Sequence, residues 1–431
     1  MGSRKRGRCD AEGLPARTVR AVAVALFAAS LTSCATSPPP LPADPADVAQ
    51  VLDGTREILP GPLADLALAR ALAGGRWLTG VVRPDGSYHY EYDPDDVEYV
   101  DDEYNEVRHA GTTYSLFQLA GATGDAAVLE AGEAGVGYID ATSVESPEGR
   151  IYTYQGENKL GGQALAIVAL LERRRVTASE SHDALIEGLA RFMLALEIPE
   201  DPGRYFHFYT DGERLAEPSS EFYPGEALLA LTRLAAHFPD GPYRAAAIRA
   251  ADYLIHRRDG DLIALGSVPQ VDHWLTIALS DLYRLVPDDD YATVVRLQAE
   301  ATMAELWTPE EGYPARIGGS RKYEPIDFTT TGTRGEALVA AWSLAEARGD
   351  EEGSARYAEA ARRVAQFAMR VQYFGDEVAL FPAPELTVGG WPANAGDADI
   401  RIDYVQHNLS ALLGVWHLTD HGALPEPGAS P

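Results

Sequence analysis

Tyr104-Asn105-Glu106-Val107-Arg108-His109-Ala110-Gly111-Thr112 sets the pattern of this chain: charged and hydrogen-bonding residues crowd together just ahead of an apolar run. Variants follow at Glu157-Asn158-Lys159 leading into Gly162-Gln163-Ala164-Leu165, and at Glu221-Phe222-Tyr223-Pro224-Gly225-Glu226-Ala227-Leu228. Three more are Asp272-His273-Trp274 leading into Ala278-Leu279, Thr331-Gly332-Thr333-Arg334-Gly335-Glu336-Ala337-Leu338, and Asp403-Tyr404-Val405-Gln406-His407-Asn408. Six polar-headed helices at roughly 50–75 residue spacing make an internal repeat. Their N-terminal ends are expected to meet around one pocket.

Between these helices lie others of a different kind. Ala247, Ile248, Ala251, Leu254 and Ile255 fall on one stripe, with Arg244, Arg249 and Asp252 off it, which predicts an amphipathic outer helix. Tyr357, Ala361, Val364, Ala365 and Ala368 repeat the pattern. By contrast Ala164–Leu171 and Ala227–Leu231 are apolar nearly all round, so those helices are buried on every side. Twelve helices alternating outer and inner close most simply into an all-α, double-layered ring, an (α/α)6 toroid spanning residues 46–420. An open solenoid would need polar terminal repeats, and the last run, Leu409–Leu418, is as apolar as the central ones. Glycines followed by alternating aromatics (Gly86 to Tyr90, Gly149 to Tyr154, Gly203 to Phe208, and more loosely Gly312 to Ala315) read as short β-hairpins on one rim.

The charge balance excludes whole classes of function. A formal net charge of −29 over 431 residues lacks the basic surface that nucleic acid or anionic lipid would require. The N-terminus reads as an export signal: Arg4, Lys5, Arg6, Arg8, Arg17 and Arg20 precede Ala21–Ser30, an apolar run too short to span a bilayer. It ends in Leu31-Thr32-Ser33-Cys34, which resembles the bacterial lipobox. The expectation is therefore a lipoprotein leader over 1–33, lipidation at Cys34, a Pro-rich tether over 34–45, and attachment to the cell envelope at the outer membrane. The tail 421–431 is expected to be disordered, and the chain monomeric. The sequence has two cysteines, so loss of the leader with Cys9 leaves Cys34 alone, and neither a disulfide nor a cysteine-ligated zinc can form.

Architecture and the Gly-Glu-Ala-Leu runs at Gly225 and Gly335 together give a chain that resembles the six-hairpin glycosidase superfamily over roughly residues 60–418. That superfamily of (α/α)6 barrels includes glycoside hydrolases, unsaturated-uronide hydrolases and sugar epimerases, with related toroids among polysaccharide lyases. The resemblance implies a site where inner helices begin; it carries over no catalytic residue.

The residues point to the same place. Glu106, Glu157, Glu221, Glu226, Asp272, Glu336 and Asp403 lie at or before inner-helix starts, where unpaired N–H groups and the positive dipole end favour carboxylates. Ordinary capping explains any one of them, but seven converging on one bowl exceed what capping requires. Glycoside hydrolysis needs two carboxyls in different protonation states, and the candidates are Glu226, Asp272 and Glu336, with Glu106 next. Arg108, Lys159 and Arg334 either neutralise the acids or grip a substrate carboxylate. His109, His273 and His407 sit in different repeats without the i, i+4 spacing of a helical zinc site, so no metal and no cofactor is expected. Tyr104, Tyr223, Trp274 and Asn408 complete the candidate sugar-binding set, with further aromatics (Tyr88, Tyr90, Tyr152, Tyr154, Tyr205, Phe208, Trp391) placed for stacking or for plain packing. The leading expectation is an envelope-anchored glycoside hydrolase. A uronate lyase or sugar epimerase, working through a His or Tyr base and a cation, and a non-catalytic glycan- or partner-binding lipoprotein are the alternatives.

Overall fold

A computed structural model describes residues 63–418. The leader, Cys34, the Pro-rich tether and the tail 421–431 lie outside the described residues. Twelve helices of ten residues or more run in chain order: α1 (Leu63–Gly80), α2 (Glu106–Thr123), α3 (Ala126–Thr142), α4 (Leu160–Thr177), α5 (Asp183–Ala195), α6 (Tyr223–His237), α7 (Tyr243–Asp252), α8 (His273–Leu285), α9 (Asp289–Ala304), α10 (Phe328–Arg348), α11 (Glu351–Val371) and α12 (Ile402–Trp416). The even-numbered helices form the inner layer. Each packs on the next around the ring, and α12 packs back on both α1 and α2. This is the (α/α)6 toroid, closed rather than open.

Closure follows from the sequence pattern. In α4 every residue from Leu160 to Arg173 is buried, so the helix is covered on all sides. Full burial of one Leu, Ile or Val stabilises by about 1.5–3 kcal/mol, and a last helix as apolar as α12 recovers that only against a neighbour on each flank. The seam is also stitched by backbone hydrogen bonds. Strand β1 (Glu91–Asp93) pairs with β2 (Glu98–Val100) on one side and with β4 (Asp397–Arg401) on the other, which pairs in turn with β3 (Pro392–Asn394). The hairpins ahead of the first and last inner helices thus form one sheet.

Two glycine devices set the spacing. At the outer-to-inner turns, Gly86, Gly149, Gly203, Gly318 and Gly389 all have positive φ. A β-carbon at Gly203 would fall 2.0 Å from the Arg249 carbonyl oxygen, and at Gly318 equally close to that of Arg363. Each turn is therefore seated on the backbone of a neighbouring outer helix. Gly312 does not belong to this set: it caps a short turn with nothing packed on it, and Gly318 holds the equivalent place. Between inner helices, a β-carbon at Gly225 would lie 2.7 Å from the Leu275 amide nitrogen. One at Gly332 would lie 2.9 Å from the Asn408 amide nitrogen and 3.0 Å from the His407 carbonyl carbon. These glycines bring inner-helix backbones together.

Candidate active site

Where the inner helices begin, a cavity of about 660 Å³ opens, walled by residues of α2, α4, α6, α8, α10 and α12 and by the loop 322–327. Among the sequence candidates, Arg108, Tyr223, Glu226, His273, Trp274, Arg334, Asp403 and His407 line it. Glu106, Glu157, Lys159, Tyr104, His109, Asp272 and Asn408 are not on its wall. The reasons are local.

Asp272 is the N-cap of α8, its Oδ1 accepting from the Leu275 amide at 3.0 Å. Its other oxygen is buried without a hydrogen-bond partner. Burial outweighs the Leu275 contact and pushes its pKa up to about 7. Glu106 is buried between α2 and α4, bonded to Lys159 Nζ at 3.1 Å, and Lys159 reaches Glu157 at 3.6 Å. Burial still holds Glu106 above the usual carboxylate range despite that lysine. His109 is a core histidine. Its Nε2 lies 3.0 Å from the Gly135 carbonyl oxygen and so donates, which leaves Nδ1 to accept from the Tyr104 hydroxyl at 2.6 Å. That hydroxyl in turn accepts from the Tyr88 amide. Burial lowers His109 to about 4, keeping it neutral. Asn408 donates to the Phe328 and Tyr404 carbonyls, tying α12 to α10.

On the wall itself the acids differ in freedom. Asp403 is held between two guanidinium groups, Arg108 Nε at 2.9 Å and Arg401 Nε at 2.6 Å. Burial would raise its pKa, but the two arginines outweigh this and keep it lowered, hence ionised. Arg108 also bonds the Tyr90 hydroxyl. Arg334 is bound by Glu305, which follows α9, at 2.5 Å. Glu226 has neither arginine nor lysine: its Oε2 is buried without a partner, and burial together with nearby Asp272 holds its pKa well above the usual value.

Glu336 is deeper than its sequence repeat implies. The polar run Thr329-Thr330-Thr331-Gly332-Thr333 looks like a loop ahead of the helix, yet Asp327 caps it by accepting from the Thr330 amide, and α10 begins at Phe328. Glu226 is in the first turn of α6, whereas Glu336 lies two turns into α10. Glu336 therefore reaches the barrel axis, beneath the cavity floor, and faces a second cavity of about 150 Å³ at the opposite end. That lower cavity carries Arg175, Arg233 and Arg284 with Glu172 and Asp281; arginines there complement the negative ends of the inner helices.

The floor of the upper cavity is a histidine pair. His407 Nδ1 lies 2.8 Å from Glu336 Oε2, the same oxygen that is 3.7 Å from His273 Nε2. The two imidazoles meet edge to face, their centroids 5.1 Å apart, and Trp274 packs on both. Burial alone would lower His407, but the charge and hydrogen bond of Glu336 outweigh it and raise the pKa. His273 is only 4% exposed, neither ring nitrogen has a hydrogen-bond partner, and burial, followed by the charges of His407 and Arg334, lowers its pKa well below the usual histidine value. The surroundings thus raise the proton affinity of one ring and lower that of the other. His273, Glu336 and His407 are also a group that could hold a metal ion, their ligand atoms lying within 4.8 Å of one another.

No protein-family model and no curated protein matches the sequence. Solved structures do. A D-mannose isomerase superposes with a TM-score of 0.59 at 15% identity, over 82% of this chain and 96% of the other. Cellobiose 2-epimerase from Bacillus thermoamylovorans gives 0.61 at 14%, over 81% and 98%. A GH76 α-mannanase from Bacteroides thetaiotaomicron gives 0.54 at 12%, over 85% and 97%. The chain has the six-hairpin barrel fold. At these identities the likeness is one of fold, and the barrel hosts several chemistries.

The sequence reading passed over Arg401, Tyr404, Lys322 and Tyr323, which also line the cavity. Arg401 and Tyr404 flank the quoted Asp403 motif and were within reach of the repeat. Lys322 and Tyr323 sit in a loop with no periodicity, and nothing local marks them.

Proposed function

We propose that the chain is a carbohydrate-active enzyme that moves a proton at the carbon beside a sugar's carbonyl, as a sugar epimerase or isomerase. The observation that carries this reading is the His273–His407 pair. Two titratable groups on one cavity floor, driven in opposite directions by their surroundings, are the signature of an acid–base couple. His273, neutral and without a hydrogen-bond partner, takes the proton from C2 of an open-chain aldose. Arg108, on the wall, offers positive charge to the enolate oxygen as it forms. His407, protonated and oriented by Glu336, returns a proton to C2 from the other face for epimerisation, or to C1 for isomerisation, in which the O2 proton passes to O1 as the C2 carbonyl forms. Solved barrels titled as an isomerase and an epimerase share the fold, which supports the reading by analogy only.

Hydrolysis by paired carboxylates is less well supported. It requires two carboxyls reaching the same bond. Asp403 is committed to two arginines, Asp272 to its cap and Glu336 to His407. Glu226 alone faces the cavity without such a commitment among the described candidates.

The test is incubation with free aldoses in D2O, reading deuterium at C2 by NMR. Exchange is expected, falling by about 10²–10⁴-fold in His273→Ala and His407→Ala, the usual contribution of a general acid or base. Cleavage of glycosidic bonds without C2 exchange would restore the hydrolase. Exchange abolished by EDTA and restored by Zn²⁺ or Mn²⁺ would make the His273–Glu336–His407 group a metal centre instead. We further propose that Cys34 is lipidated and holds the enzyme at the cell envelope; labelling with a fatty-acid analogue, lost in Cys34→Ser, checks it.

A further inference from the structure

The mouth of the cavity differs from its floor. Aromatic side chains line the cavity throughout, but the deeper ones pack against other rings or a guanidinium. Trp274 packs on both histidines, Tyr223 lies against His207 and Phe208, Phe222 against His273, and the Arg401 guanidinium covers Tyr404 at 4.3 Å from its centroid. Tyr323 is the exception. It stands on the lip in the loop 322–327, 52% exposed, with only the neighbouring Lys322 ammonium over its ring, 5.7 Å from the centroid. A large aromatic open to water beside a cavity offers a flat apolar face on which a sugar ring can lie.

The size of the cavity agrees. About 660 Å³ falls in the upper half of the range for drug-sized ligands, about 300–1,000 Å³, and a single hexose is roughly half such a ligand. One ring over the histidine pair leaves the mouth unfilled.

We propose that the lip is a second sugar subsite, with Tyr323 as its stacking platform, so that the substrate is a disaccharide or longer glycan whose reducing-end ring reaches the histidines. This rests on the acid–base reading of the floor. The apolar C–H face of the outer ring lies on the tyrosine ring, while Lys322 at the same lip offers hydrogen bonds to its hydroxyls; Glu324 beside it is held by Arg316 at 2.7 Å. Tyr323 takes no part in the proton transfer; it determines which sugar is held.

The test compares Tyr323→Ala and Tyr323→Phe with the wild type, using cellobiose and mannobiose as disaccharide probes and glucose and mannose as hexoses. Binding is measured by calorimetry and C2 exchange by NMR. The expected result is tighter binding of a disaccharide than of its hexose, and an about ten-fold rise in KM and Kd for the disaccharide in Tyr323→Ala with kcat unchanged. Hexose values should not move, and Tyr323→Phe should behave as wild type. Equal affinity for hexose and disaccharide, or a Tyr323→Ala effect that is absent or the same on both, overturns the subsite. If disaccharide binding depends on Tyr323 while no probe exchanges its C2 proton, the subsite stands and the epimerase reading falls.

Discussion

At the scale of single residues, function turns on which polar groups are already committed. Glu336 spends one oxygen on His407, and in the proposed mechanism that bond, rather than a direct role on substrate, is its contribution. In the proposed mechanism His407 acts in its protonated form, and Glu336 raises its pKa, so the rate is expected to be lost as pH rises through that raised value. On the acid side His273, held well below the usual value, stays neutral, so the profile is flat there. Glu336→Gln removes the anion, lowers the His407 pKa and moves the alkaline limb to lower pH, which a pH–rate profile reads directly. Asp272 gives the opposite kind of prediction. Its folded pKa of about 7 exceeds the ordinary aspartate value of 3.8, so the folded state binds the proton more tightly, and stability falls as pH rises between those two values. Asp272→Asn keeps the cap without the charge and is expected to melt higher than wild type above pH 7. Asp272→Ala loses the cap and about 0.5–2 kcal/mol. Neither should abolish turnover, as each would if Asp272 were half of a catalytic carboxylate pair.

Among the secondary-structure elements, the decisive feature is how closely inner helices approach. Gly332 faces the backbone of His407 and Asn408, so the register between α10 and α12 places the Glu336–His407 bond. Gly332→Ala forces those backbones apart. The expected cost is about 1–3 kcal/mol of stability, the range for overpacking, with a loss of C2 exchange larger than the stability change explains, because His407 is displaced from Glu336. Chemical denaturation and exchange kinetics on the same sample separate the two. Helix starts were the least legible part of the sequence. Gly225-Glu226 and Gly335-Glu336 look equivalent as strings, yet α6 begins two residues before its glycine and α10 seven before. That offset puts Glu226 in the upper cavity and Glu336 below its floor. A polar threonine run reads as a loop until Asp327 caps it, and whether a cap forms depends on the chain around it.

As a whole molecule the barrel is a closed ring with a sheet at its seam, β1 bonded to β4. A closed ring fails as one body, unlike an open solenoid, in which each repeat touches only its neighbours. Removing residues 402–431 takes away α12 and the contacts it makes with α1, α2 and α10. It is expected to leave no cooperative thermal transition by circular dichroism; loss of a proportionate fraction of the signal would argue against closure as the source of stability. The sequence by itself determined the six-fold repeat, the two layers, the closure of the ring and the end at which polar residues gather, because each follows from the period and completeness of apolar burial along the chain. Only the tertiary structure decided which of those polar residues are chemically free. Arg108 neutralises Asp403 from 295 positions away, and Glu336 tunes His407 across 71. Proton affinity is set by charges and burial within a few ångströms, and those neighbours exist only once the ring has closed.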